Sequence, residues 1–304
     1  MRSALNALTD ELRRLKNTGV KTVAVSDEAV AALRRVVTAR AAGGQRPRRA
    51  VAPAASKPVS SPAQVRPSVA IVRDPLPAAT LPAAPVVALP EGDKAARWAA
   101  LRELVLNDAT CRANVRAGKK VVLGVGSLDA KIMFVGEAPG AEEEIQGEPF
   151  VGPAGQLLTK MIQGMGLKRG EVYIGNIMNW RPQMPAAAGV EQVGNRPPTE
   201  QEMRYCLPYL RAQIDVVNPE MIVALGATAA QGLLGFGSFK ALGDIRGAWR
   251  EFAGKPLMVT YHPSYILRSM SNRSKRMIWE DLLKVMARAG LPISEKQRGY
   301  FLER

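Results

Sequence analysis

Two short stretches hold the residue types that electrostatic or acid–base catalysis needs. In Gly136-Glu137-Ala138-Pro139-Gly140 a carboxylate stands in a Gly/Pro turn directly after the apolar run Ile132 to Val135. In Val259-Thr260-Tyr261-His262-Pro263-Ser264 a second apolar run ends in a polar turn, and His262 is the only histidine of 304 residues. Any step that needs an imidazole must use it. A strand ending in such a turn presents side chains at the carboxyl edge of an α/β sheet, where these sheets bind ligands. There, Glu137 can position an attacking water or stabilise a sugar cation, as carboxylates do in glycoside hydrolysis. Its structural alternative is a helix-start acid favoured by the macrodipole. Glu142, Glu143 and Glu144 follow closely and read as a solvated first turn, because their spacing does not make a metal site.

Two further residues stand where ligand contact is expected. Phe150 lies between Pro149 and Val151 in a glycine- and proline-rich loop, an unusual place for a core residue. It either stacks on a ligand or plugs the loop onto the core. Asn176 ends the apolar run Val172 to Ile174, and its amide offers a donor and an acceptor together. The alternative is a turn asparagine.

The elements that must position these residues alternate. Ile132 to Val135, Val172 to Ile174, Met221 to Leu225 and Leu257 to Thr260 read as strands. Helical patterns at Ala154 to Met165, Thr199 to Val217 and Ala227 to Leu234 separate them, and one from about Lys275 to Ala289 follows. Such alternation predicts an α/β fold with a central four-stranded parallel sheet covered on both faces, a three-layer α/β/α arrangement. This domain is expected over residues 94–304. Residues 1–39 read as a small helical module, with Leu5, Leu8, Leu12 and Leu15 on one helix face. Residues 40–93 read as a disordered Ala/Pro-rich basic linker: between Arg40 and Arg73 there are seven basic residues and no acidic one.

The formal net charge is +15 and the pI about 10.2, which favours a polyanionic partner such as nucleic acid. No run of eighteen apolar residues occurs, so no membrane span is expected. Neither a Walker pattern nor a dinucleotide fingerprint is present. Two cysteines, Cys111 and Cys206, cannot form a disulfide framework, and the chain reads as cytoplasmic.

GEAPG at Gly136 to Gly140, GEPFVGPAGQLL at Gly147 to Leu158, VYIGNIMNWRP at Val172 to Pro182, CLPYL at Cys206 to Leu210, IVALGATA at Ile222 to Ala229 and HPSYILR at His262 to Arg268 occur in that order. Together they resemble the family 4 uracil-DNA glycosylases, over roughly Cys111 to Arg268. The resemblance implies a monofunctional glycosylase that flips uracil out of DNA and hydrolyses its N-glycosidic bond, leaving an abasic site. It implies catalytic roles for Glu137 and His262, the latter at uracil O2. Gly136, Ala138, Phe150 and Asn176 would surround the base with His262. Ser264, Leu267 and Arg268 are expected to meet the DNA: the apolar Leu267 can act as a wedge, and the basic run Arg268, Arg273, Lys275 and Arg276 is placed to meet phosphates, its alternative an exposed basic helix start. The family holds a [4Fe–4S] cluster on four cysteines. Cys111 and Cys206 match two of those places, whereas Asp108 and Trp180 occupy the others. Tryptophan has no ligand atom to offer, so no cluster and no other cofactor is expected. Two other readings stand beside this one: a glycosylase for another deaminated base such as hypoxanthine, and a non-catalytic DNA-binding relative. The sequence names no protein partner for residues 1–39.

Overall fold

A computed structural model describes residues 81–184, 191–269 and 271–302. The helical module expected over 1–39 and most of the expected linker therefore lie outside the described residues. The last part of that linker does not. Residues 81–93 run without regular structure along the domain, and Leu81, Val87 and Leu89 pack against its core. Gln201 Nε2 donates to the Leu81 carbonyl at 3.2 Å.

The domain opens with α1 (Lys94–Asn107), capped by the Asp93 side chain, and the short α2 (Ala109–Ala113), capped by Asp108. Six strands follow: β1 (Val125–Gly126), β2 (Ile132–Gly136), β3 (Tyr173–Asn176), β4 (Met221–Leu225), β5 (Trp249–Phe252) and β6 (Lys255–Thr260). They form one sheet in the order β1-β3-β2-β4-β6-β5. The four central strands are parallel, as the apolar runs predict. The edge strands β1 and β5 pair antiparallel and were not foreseen. β1 has only two residues, and β5 (WREF) mixes polar and apolar positions on an edge, so neither carries a buried-strand signature.

Alternation along each strand sends neighbouring side chains to opposite faces. Met133, Val135, Ile222, Ala224, Leu257 and Val259 face one core with α1, α5 (Glu200–Val217) and α6 (Ala227–Leu234). Ile132, Phe134, Met221, Val223, Leu225 and Met258 face the other, covered by α4 (Pro153–Gly164), α8 (Pro263–Ser269) and α9 (Asn272–Arg288). The result is three-layer α/β/α. Helix α3 (Ala141–Gln146) follows the turn after β2, while α7 (Leu242–Ile245) and α10 (Glu295–Arg298) are single turns. Among the described residues no helix is long and apolar enough to cross a membrane.

The parallel register sets the site. Gly136 pairs with Asn176, so the last residues of β2 and β3 lie side by side at the carboxyl edge. The β2 turn holds Glu137, and the β6 exit holds His262. One buried ion pair fixes the wall beside them. Arg181 Nη1 donates to Glu144 Oε1 at 2.8 Å, and its remaining nitrogens reach Asn195 Oδ1 and the carbonyls of Gln192 and Gly194. This ties α3 to the segment at 191–195. Removing one member of such a pair leaves a buried charge unmatched, which typically costs about 3–5 kcal/mol. Glu144→Ala is accordingly expected to lower unfolding free energy by that order in a denaturant titration, and a loss below about 1 kcal/mol would mean that Arg181 finds water instead.

Candidate active site

A cleft of about 650 Å³ opens at the carboxyl edge of the sheet. Glu137, Ala138, Phe150, His262, Ser264 and Arg268 line it together, although they come from three separate segments of the chain. Gly136, which the Phe150 ring covers, and its strand neighbour Asn176 are not among the residues that line the cleft. A Cβ built on Gly136 would collide with the Phe150 ring and with Asn176 Oδ1, so the glycine is what lets that ring lie against the end of the sheet. Asn176 is 6% exposed, and its Oδ1 has no hydrogen-bond partner among the described residues. An orphaned buried acceptor is costly unless a ligand satisfies it.

Phe150 adopts φ 54°, a left-handed conformation that costs a side-chain-bearing residue about 1–2 kcal/mol. Its ring centroid lies 5.6 Å from that of His262, tilted by 32°. The imidazole is fixed by its own turn. The Ser264 amide donates to His262 Nδ1 at 3.2 Å, and Ser264 Oγ lies 2.8 Å from the same nitrogen. Because an N–H points at Nδ1, that nitrogen must be an acceptor, and in the neutral ring the proton sits on Nε2. Arg268 Nη1 donates to Ser264 Oγ at 3.1 Å, which orients the hydroxyl proton toward the ring. Burial, and secondarily the Arg268 charge, push the His262 pKa down to about 4. The ring is thus a neutral donor at physiological pH.

Glu137 is shifted the other way. Burial raises its carboxyl above the usual range, opposed by a hydrogen bond from the Thr228 hydroxyl at the start of α6. Sequence reasoning missed Thr228, since its only local signal is a threonine in the first turn of a helix. It also missed Arg196, Tyr261 and Tyr265, which line the cleft. The two tyrosine rings stack 4.5 Å apart.

Several residues stand differently from expectation. The Glu142–Glu144 run is not a solvated turn. Glu144 is buried against Arg181, and Glu143 Oε1 accepts from the Val151 and Gly152 amides while its Oε2 accepts from Gly140 N. Only Glu142 matches the solvated reading, at the cleft rim. Leu267 projects from α8 and is 39% exposed, outside the residues lining the cleft. Arg276 is spent within the protein, on Glu280 and on the carbonyls of Arg298 and Tyr300.

The profile of the uracil DNA glycosylase superfamily matches residues 123–283. The chain is 43% identical over 165 residues to a type-4 uracil-DNA glycosylase of Thermotoga maritima, covering 54% of this chain and 80% of that protein. A type-4 enzyme of Pyrobaculum aerophilum is 39% identical over 58% of this chain and 87% of its own length. One from Archaeoglobus fulgidus is 41% identical over 48% and 71%. The chain belongs to the type-4 uracil-DNA glycosylase family.

The family's iron–sulfur cluster requires four thiolates, and the residues here do not fit it. Asp108 Oδ1 accepts from the Cys111 amide at 2.6 Å, and Oδ2 accepts from the Tyr205 and Tyr209 hydroxyls at 2.8 and 3.1 Å. Burial pushes this carboxyl up, but those hydrogen bonds outweigh it and the net shift is downward. Trp180 is fully buried, its ring 6.0 Å from Tyr205 and its Nε1 without a partner among the described residues. Cys111 and Cys206 are buried as free thiols, and their mutual contact together with burial raises the Cys111 pKa. Among the described residues no group of three or more His, Cys, Asp or Glu could hold a metal. At the four matching positions this chain holds a carboxylate bound to two tyrosines, a buried indole and two thiols. Protein purified anaerobically should therefore be colourless with substoichiometric iron; visible charge-transfer absorbance accompanied by stoichiometric iron and sulfide would show that two thiols suffice.

Proposed function

We propose that this protein is a monofunctional uracil-DNA glycosylase acting on uracil-containing DNA. The observation that carries the reading is the pair lining one cleft: His262, held neutral with its proton on Nε2, and Glu137, a half-buried carboxylate. The target nucleotide must leave the stack, because its glycosidic bond is out of reach inside a duplex. The flipped base stacks on Phe150 over Gly136 and beside Ala138, a contact worth about 1–3 kcal/mol in comparable sites. Asn176 Oδ1, the orphaned acceptor, receives the uracil N3–H, and its amide nitrogen donates to O4. Cytosine has an amino group where uracil has O4 and no proton on N3, so it mismatches at both atoms. Hypoxanthine offers Asn176 the same carbonyl and N–H pair, so only its larger purine frame and its lack of a carbonyl matching O2 set it apart from uracil.

As the C1′–N1 bond breaks, its electron pair leaves with the base. Negative charge grows on O2, where a fixed Nε2–H donor from His262 stabilises it. The developing sugar cation at C1′ is met by water, whose oxygen bonds to C1′ and whose proton passes to Glu137. The Thr228 hydroxyl favours the ionised form of that carboxylate. Arg268, with its guanidinium on Ser264 Oγ at the cleft mouth, is suited to a phosphate, and the +15 net charge suits the polyanion. Leu267, exposed beside it, is available as the wedge. A cytoplasmic location accords with two free buried thiols.

The test is excision from oligonucleotides carrying one uracil, one hypoxanthine or normal bases, followed by alkaline cleavage. Uracil should be released and the others spared. His262→Ala should lose about 10²–10³ in single-turnover rate with DNA affinity retained; a rate within a few-fold of wild type would remove the histidine from the reaction. The pH profile separates the two groups. A raised Glu137 pKa makes the carboxylate protonate first on acidification, so activity should fall below a midpoint above the ordinary Glu value of about 4.3. His262, with its pKa near 4, remains neutral through that limb. A Glu137→Gln variant should keep a low residual rate without this acid limb; an unchanged limb would assign it to another group.

A further inference from the structure

The Phe150 platform is held in an unfavourable backbone conformation, and the residues that hold it lie outside the base contacts. Phe150 belongs to the connection between α3 and α4, and its φ of 54° is sterically disfavoured. Two charged side chains grip the peptide units on either side of it. Before it, Arg169 Nη2 donates to the Pro149 carbonyl at 2.7 Å, while Nη1 reaches Thr159 Oγ1 on α4 at 3.2 Å. After it, Glu143 Oε1 accepts from the amides of Val151 at 3.0 Å and Gly152 at 2.9 Å. The other oxygen of Glu143 accepts from Gly140 N at 3.0 Å, in the turn that follows Glu137. One carboxylate therefore ties the Phe150 loop to the Glu137 turn. Both of its oxygens are engaged by backbone N–H groups at the start of α4 and α3. Gly155 completes the arrangement: a Cβ there would collide with the Phe150 carbonyl, so only glycine lets that peptide lie against α4.

We propose that Glu143 is a positioning residue for base excision, with Arg169 as its counterpart, and that both act by clamping Phe150 in its left-handed conformation. The inference rests on the glycosylase reading above for the use of Phe150 as a base platform. Glu143 lines the cleft, but its oxygens are consumed by the three amides, so its effect on the base passes through the ring it positions. Charge matters to the clamp. A glutamine offers one acceptor oxygen in place of two, and its NH₂ would face an amide donor. Either the Gly140 tie or the Val151–Gly152 tie is then lost.

The experiment is a double-mutant cycle of single-turnover uracil excision at saturating DNA, using wild type, Glu143→Gln, Phe150→Ala and the double variant. Misplacing a reacting partner by a fraction of an ångström to 1 Å can cost up to about 10²-fold, so Glu143→Gln is expected to lose about 10- to 10²-fold. That loss should vanish in the Phe150→Ala background, where no ring remains to position. Equal fold-losses in both backgrounds would overturn the proposal, because the carboxylate would then act independently of the ring. Should Glu143→Gln fail to fold, Arg169→Gln takes its place in the same cycle with the same two outcomes. Amide hydrogen exchange supplies a readout that needs no activity. Exchange at Gly140, or at Val151 and Gly152, should accelerate in Glu143→Gln while β4 stays protected, and unchanged exchange at all three amides overturns the clamp. If the wild type itself excises no uracil, the functional reading fails while the exchange measurement still decides the clamp.

Discussion

The close approach of two strand ends governs this domain. Gly136 and Asn176 are paired neighbours at the carboxyl edge, and the Phe150 ring lies against the glycine. Only glycine at 136 leaves the room. The ring in turn requires a backbone conformation that a phenylalanine does not choose freely. From that contact follow the glycine at 155, the carboxylate of Glu143 on the loop amides, and Arg169 on the preceding carbonyl. A site built this way spends charged side chains on geometry.

Electrostatics divides the labour across the cleft. Burial disfavours charge on both functional groups, but the consequence differs in sign: it raises a carboxyl and lowers an imidazole. The histidine gains from this. A neutral ring locked by Ser264 presents its Nε2–H without the cost of a buried cation, and it does not change state over the working pH range. The glutamate is less favoured, since it must ionise in a partly dry setting. The Thr228 hydroxyl partly offsets that penalty by donating to it.

Much of this arrangement was legible in the sequence. Apolar runs marked the four central strands because buried parallel strands read as continuous hydrophobic stretches. The turns after β2 and β6 pointed to Glu137 and His262, and the strand-end position pointed to Asn176. What escaped was whatever depends on partners distant in the chain. An acidic triplet after a turn looks solvated, yet Glu144 meets Arg181 thirty-seven residues on, and Glu143 meets amides eight and nine residues away. Residues 81–93 looked like linker because proline and alanine dominate them, while the three apolar side chains that dock were too sparse to form a pattern. Edge strands of two and four residues fall below the length at which periodicity is informative.

The knot around Asp108 also has a mechanical side. Asp108 and its tyrosine partners stand 97 and 101 residues apart, so their hydrogen bonds close a long loop of chain. Within it lie Glu137, Glu143, Phe150 and Asn176; His262 lies outside. The cost of closing a loop rises only slowly with its length, so a few hydrogen bonds can shut one of this size once the sheet has brought its ends near. The half of the cleft that carries the carboxylate and the ring is thereby bounded as one segment. It meets the half that carries the imidazole across the β2–β4–β6 pairings of the sheet. Strain applied between α2 and α5 would be felt first by the segment that carries Glu137 and Phe150, and only through those strands by the histidine.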